Sequence, residues 1–270
     1  MIFKEKLIKN ANSRALLIFL GSYFFSICLT IPIHETGHAL ALLILGYPDI
    51  VISVTPFYGT TTTSAIIATD DLILISAAGT TFNLICASIV VIGLWHRRST
   101  KLLPLLMYGG TAFLLEGVVL FNTFFTSTIL TDWDYLIFVG LSPIFVAILT
   151  GIVLIAGALM VYIIWPLTGI SEQTSFSKIL YINLGYIFYQ FLSVFFAIVV
   201  NLSFLPEIML LLILNLIVAI SFLILRVFAY KPLFPFIDRL THTEVSDPTT
   251  NSVWIPLTLS GIVFIILFFF

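Results

Sequence analysis

The chain has 270 residues, of which 60% are hydrophobic, 15% aromatic and only 9% charged, with a formal net charge of -2. A soluble globular domain carries roughly 25% charged residues, so this composition excludes a soluble cytoplasmic enzyme and a disordered chain. The eleven Lys and Arg residues form no stripe that could follow a phosphate backbone, which excludes a nucleic-acid partner.

A basic arm with Lys4, Lys6, Lys9 and Arg14 opens the chain, and a long apolar run follows it. The start resembles a signal peptide, but the run is too long and no small-residue cleavage site interrupts it, so a retained first helix is expected. Crossing the hydrocarbon takes about 20 apolar residues. Segments 15–45, 72–94, 102–125, 135–165, 179–200, 207–229 and 253–270 qualify. The expected fold is an all-α, polytopic transmembrane helical bundle of about seven spans. The first and fourth segments are long enough that they must tilt, break or extend past the lipid. Pro32 is the place where the first is expected to break, since proline lacks an amide proton and disturbs the preceding turn.

Segment 48–69 differs from the spans. Pro48, the alternating Val51, Ser53 and Thr55, then Pro56, Gly59 and a Thr/Ser run at 60–64 predict a short strand and turn. Such backbone must lie outside the lipid or be shielded by protein. Three organisational pieces follow: a basic arm over 1–14, a core over 15–165 and additional helices over 166–270. The longest connection, 230–252, is too short to bury a core of its own. Basic residues cluster in the arm, in the 95–101 loop and around 230–252, whereas Asp49, Asp70, Asp71, Asp132, Asp134 and Glu207 lie in the intervening connections. Basic loops favour the cytoplasmic side. The expectation is therefore an integral multi-pass protein in a lipid bilayer with a cytoplasmic N-terminus. Cys28 and Cys86 both fall in spans without a C-x-x-C partner and read as small apolar side chains.

Within the first span, Glu35 is the one charged residue between Ala15 and Leu45, and it belongs to His34-Glu35-Thr36-Gly37-His38. Two imidazoles and a carboxylate are costly in hydrocarbon unless they serve each other, a metal or a proton path. Residues four apart share a helix face, so His34 and His38 can reach one ion. Glu35 beside them can take a proton from a water and pass it on. The bland alternative is a polar cluster at a helix end that binds nothing. A zinc site takes a third protein ligand. His96 and His242 lie in loops expected on the opposite side, and charge alone does not choose among Asp49, Asp70, Asp71, Asp132 and Asp134.

The motif, with small and apolar residues Ala39 and Leu40 after it, resembles the H-E-x-G-H of site-2-protease-like intramembrane zinc metallopeptidases, peptidase family M50. Gly79-Thr80-Thr81-Phe82-Asn83 resembles that family's G-P-x-x-N element, with Thr80 in place of Pro. The stretch Asn122 to Asp132 resembles its N-x-x-P…D-G segment, with Phe125 in place of Pro and Trp133 in place of Gly. The resemblance covers roughly residues 15–165. It implies that His34, His38 and Asp132 hold Zn²⁺, with Asp134 as the alternative third ligand. It also implies that Glu35 is catalytic and that Asn83 and Asn122 orient substrate.

Other polar residues have plainer expectations. Glu116, deep in the third span, is expected to be a protonated side chain bonded to a neighbouring helix, well below the metal level; the alternative is a partner to the site. Asn183 and Asn215 are expected to bond between helices, and Gly109, Gly110 and Gly117 to permit close packing. Asp70 and Asp71 suit a helix N-terminus. Trp95, Trp133 and Trp165 suit anchoring at the membrane interface, with covering of the metal mouth as the alternative for Trp133. The function expected is a zinc endopeptidase acting on a transmembrane or membrane-near segment of another membrane protein. The alternative is a catalytically idle protein of the same fold that binds a partner or holds metal. A transporter should show further acidic or His residues along several spans, and only Glu116 qualifies.

Overall fold

In the computed structural model the described residues are 11–55, 59–94, 99–124, 132–168, 170, 174–181, a few positions between 220 and 235, and 250–269. Among them the fold is helical with one small sheet. Helix α1 spans Ala11–Ile44, strands β1 and β2 span Val51–Val54 and Gly59–Thr62, and α2 spans Thr69–Leu94. A short 3-10 turn leads into α3, Leu103–Asn122. Then come α4, Asp132–Phe138, and α5, Pro143–Ile164, which runs on into a 3-10 turn, and finally α6, Thr250–Phe269.

Four helical stretches are long and apolar enough to cross a membrane: Ser13–Ile44, Thr69–Leu94, Leu103–Phe121 and Pro143–Thr168. They coincide with four of the seven expected spans. The expected span 253–270 is helical, but its apolar stretch Trp254–Leu267 is shorter. The expected spans 179–200 and 207–229, with Asn183 and Asn215, lie almost wholly outside the described residues, so four of the seven expected spans qualify among those residues by length and composition.

Two expectations about the long spans resolve differently. The first does not break: α1 runs unbroken through Pro32. The Thr36 hydroxyl donates to the Pro32 carbonyl at 2.7 Å, and Thr30 and Ser26 donate likewise to carbonyls one turn back. These bonds add a second donor to carbonyls within the helix; the carbonyl that Pro32 leaves without an N–H donor is that of Cys28, one turn back. The fourth does break. Gly140 has φ +107°, Gly140 N–H donates to the Ile137 carbonyl and Leu141 N–H to that of Leu136. This is a Schellman end, and Pro143 at the first turn of α5 starts a new helix.

The end of α1 is built the same way. Gly46 has φ +80°, with Gly46 N–H on Leu43 and Tyr47 N–H on Leu42. The turn sends the chain back along the C-terminal part of α1 as the antiparallel pair β1–β2, in the register Val51↔Thr62 to Val54↔Gly59. The Tyr47 hydroxyl then donates to Asp71 in the first turn of α2, and the Ala68 amide donates to the Tyr47 oxygen.

The largest apolar core joins the N-terminal half of α1 (Ile18, Phe19, Tyr23, Ile27) to α3 (Leu103, Met107, Leu114) and α5 (Val161, Tyr162, Ile164). Added Cβ atoms at Gly110 and Gly117 would meet Val161 and Leu154 of α5, so the expected close packing is present. Trp165 is fully buried, with its ring edge-on to Tyr162, and Trp133 is buried as well. These two indoles do not sit at an outer surface, which corrects the expectation of interface anchoring. This core occupies one end of the bundle, and the polar residues gather at the other.

Candidate metal centre

His34 and His38 project from the C-terminal part of α1, one turn apart as their spacing requires. His38 donates Nδ1–H to the Ile75 carbonyl of α2 at 2.7 Å, and His34 donates Nδ1–H to Glu116 Oε1 of α3 at 2.8 Å. A carbonyl oxygen can only accept, so His38 carries a proton on Nδ1, and in the neutral ring its Nε2 carries the lone pair. Both Nε2 atoms turn to a common point, 3.0 Å apart.

Asp132, the first residue of α4, completes that point. Its Oδ2 lies 3.2 Å from His34 Nε2 and 3.1 Å from His38 Nε2. Donors held at zinc distances in a tetrahedron stand about 3.3 Å apart, close to these three separations. Burial pushes the Asp132 carboxyl up; contacts with His34 and His38 outweigh it and hold the group below the usual carboxylate range. Three acceptor atoms so close repel one another unless a cation lies among them, either a proton on an imidazole or a metal ion.

Glu35 adds a fourth group. His34, Glu35 and His38 each offer a ligand atom within 4.8 Å of the others, a buried cluster able to hold a metal ion. The Glu35 carboxylate does not point into open space. It accepts from the Thr61 hydroxyl of β2 at 2.8 Å, and that hydroxyl also reaches the Glu35 backbone carbonyl at 3.0 Å. A Cβ at Gly59 would stand 2.5 Å from Glu35 Cγ, so β2 lies flat against this side chain. Close approach also governs the α1–α2 contact. A Cβ at Gly37 would strike the Ala78 carbonyl at 2.5 Å, and one at Gly79 would strike both His34 Nε2 and His38 Nε2.

Behind the histidines lies a buried polar network. Glu116 accepts from His34 and from Asn83 Nδ2 (2.6 Å) on one oxygen and from the Thr80 hydroxyl (2.7 Å) on the other. The Tyr108 hydroxyl donates to Asn83 Oδ1 at 2.9 Å, and the Trp133 indole N–H donates to Thr80 Oγ1 at 3.0 Å. Glu116 therefore lies at the level of His34, one helix away, and not below the site. Asp132, at the start of α4, is the residue whose carboxylate stands beside the histidines.

Of the residues singled out in the sequence, His34, Glu35, His38 and Asp132 come together. Asn83 is close by but 0% exposed, with both ends of its amide engaged by Glu116 and Tyr108. Direct contact with a substrate would require breaking those bonds. Asn122 ends α3, and its side chain lies outside the described residues. The bond of Thr61 to Glu35 is not foreseen by the sequence, although the Thr/Ser run at 60–64 is a candidate lining of a polar opening to the metal; for Glu116 the partnership with the site is the alternative reading, signalled by an acidic residue deep in an apolar span.

The chain matches no protein-family model, no curated protein and no solved structure at a significant level. A buried His-Glu-x-x-His cluster in a multi-helix membrane protein, able to bind metal, is thus defined by the fold and the site themselves.

Proposed function

We propose that this protein is an intramembrane zinc endopeptidase of the site-2-protease type, with His34, His38 and Asp132 holding Zn²⁺. The observation that carries the reading is the convergence of two imidazole Nε2 atoms and one carboxylate oxygen within 3.2 Å of one another, with Glu35 alongside. The residues fit the group: two neutral imidazoles and one carboxylate are a zinc donor set that leaves a fourth position open. Bound there, zinc would supply Lewis acidity toward a carbonyl and make a water acidic near neutral pH.

Glu35 takes the proton of the attacking water and returns it to the leaving amide nitrogen. Thr61 steers that carboxylate, and the β1–β2 pair, built over it, offers backbone to a locally unwound substrate by strand addition. Asn83 and Asn122 are assigned substrate-orienting roles, Asn83 on the condition that its internal bonds open. Asp132 is preferred to Asp134 because its Oδ2 is the oxygen beside both imidazoles. The helices after residue 165 add to a core over 15–165, and the N-terminus faces the cytoplasm. A pure scaffold would have no physical need for the Glu35 carboxylate beside the histidines, whereas a metal-holding protein could use it as a ligand.

The test uses zinc-loaded protein reconstituted with a panel of single-span membrane peptides. The parent is expected to produce fragments. Glu35→Gln should keep its zinc and cut at least about 100-fold more slowly, the scale of a lost general base. Undiminished cleavage by the Gln variant would refute the role given to Glu35.

A further inference from the structure

We propose that Glu116 positions His34 for metal binding, held in turn by Thr80 and Asn83, and that Trp133 ties the Asp132 backbone to the same carboxylate through Thr80. The inference rests on the zinc reading of the site, takes Asn83 in its internally bonded state rather than turned to substrate, and adds residues on α2, α3 and α4 that touch no reacting atom.

Glu116 is 2% exposed in a transmembrane helix, where a carboxylate is costly unless its oxygens are met by donors. Three donors meet them: one from α1 (His34) and two from α2 (Thr80, Asn83). The bond to His34 has a directional consequence. With Nδ1–H committed to Glu116, the lone pair lies on Nε2 and the ring is fixed facing His38 and Asp132. A carboxylate behind an imidazole also raises its basicity as a ligand. His38 has only a backbone carbonyl in that place, so the two imidazoles are supported unequally and His34 depends more on a side chain that can be changed.

The connection to α4 follows from two residues that depart from the motif the chain resembles. Thr80 stands where Pro is usual and Trp133 where Gly is usual, and they are bonded to each other. Thr80 spends its proton on Glu116 and its lone pair on Trp133. Trp133 adjoins Asp132, so one chain of bonds runs from the carboxylate beside the metal point to the support of His34. Proline and glycine at these positions could not form it, because neither carries a side-chain hydrogen-bonding group.

A merely structural network would staple α1, α2, α3 and α4 without affecting the metal. The experiment separates the two. Zinc is titrated against a chromogenic chelator on the detergent-purified full chain, using the parent, His34→Ala, Glu116→Ala and Glu116→Gln. The absorption of the Co²⁺-substituted forms is recorded alongside. The parent should bind one zinc and His34→Ala should lose it. Glu116→Ala should bind about 10- to 100-fold more weakly. Glu116→Gln, whose carbonyl still accepts from His34, should recover part of the loss while shifting the Co²⁺ bands. If Glu116→Ala does not fold, the near-isosteric Gln variant carries the comparison through its affinity and its spectrum. Parental zinc affinity and parental Co²⁺ bands in the Glu116 variants, with metal lost in His34→Ala, would overturn the positioning role and leave the zinc site standing, even if those variants melt earlier. Equal zinc binding by the parent and His34→Ala would instead overturn the zinc reading beneath it.

Discussion

Gly79 and Thr61 show how much of the site depends on single atoms. A methyl group at Gly79 would collide with both imidazole Nε2 atoms, which cannot retreat without giving up Ile75 and Glu116. Gly79→Ala is therefore expected to abolish stoichiometric zinc binding while leaving the helical content intact, measured by metal analysis and circular dichroism on the same sample. Thr61→Val is the milder case. It removes the hydroxyl that orients the Glu35 carboxylate but none of the proposed ligands. Zinc content should be unchanged and turnover of a cleaved membrane peptide should fall about tenfold, the value of one ordinary hydrogen bond. At this scale the sequence was most informative where the geometry is local. The i,i+4 spacing of His34 and His38 and the place of Glu35 between them follow from helix periodicity alone. The contact between Glu116 and His34 depends on how α1 and α3 rotate and tilt against each other, and no local pattern encodes that.

Element boundaries explain the remaining differences between expectation and structure. The expected span 135–165 splits at Gly140 because a Schellman end takes a positive φ there and Pro143 cannot continue the preceding helix. Both residues are visible in the sequence, but an unbroken apolar run masked them. Strand β1 was legible from its alternation. Strand β2 was not, because four consecutive Thr residues after Gly59 carry no alternating pattern, and their pairing is set by the neighbouring strand. Asp132 could be singled out from the other carboxylates of the connecting segments only by resemblance to a known motif, since its approach to the histidines is a tertiary contact between α4 and α1. Gly140→Ala tests the element-scale reading. A non-glycine residue at φ +107° should cost about 1–3 kcal/mol, read as a lower thermal midpoint in detergent. The α4 turn carries Asp132, so weaker zinc binding should accompany it.

For the whole molecule, the arrangement is an apolar core of α1, α3 and α5 at one end and a polar cluster of α1–α4 residues at the other. Composition made the membrane environment legible, and four long apolar helices among the described residues agree with it. Composition could not show that the site is shared among four helices and closed over by a sheet. The central claim is that two imidazoles and one carboxylate, brought together from α1 and α4, hold a single zinc ion. Metal analysis of the detergent-purified full chain tests it most directly, comparing the parent with His34→Ala, His38→Ala, Asp132→Ala and Asp134→Ala. The expected result is one zinc per chain in the parent and in Asp134→Ala, and loss in the other three. Absence of stoichiometric zinc from the parent, or its retention when His34 and His38 are replaced, would contradict the claim.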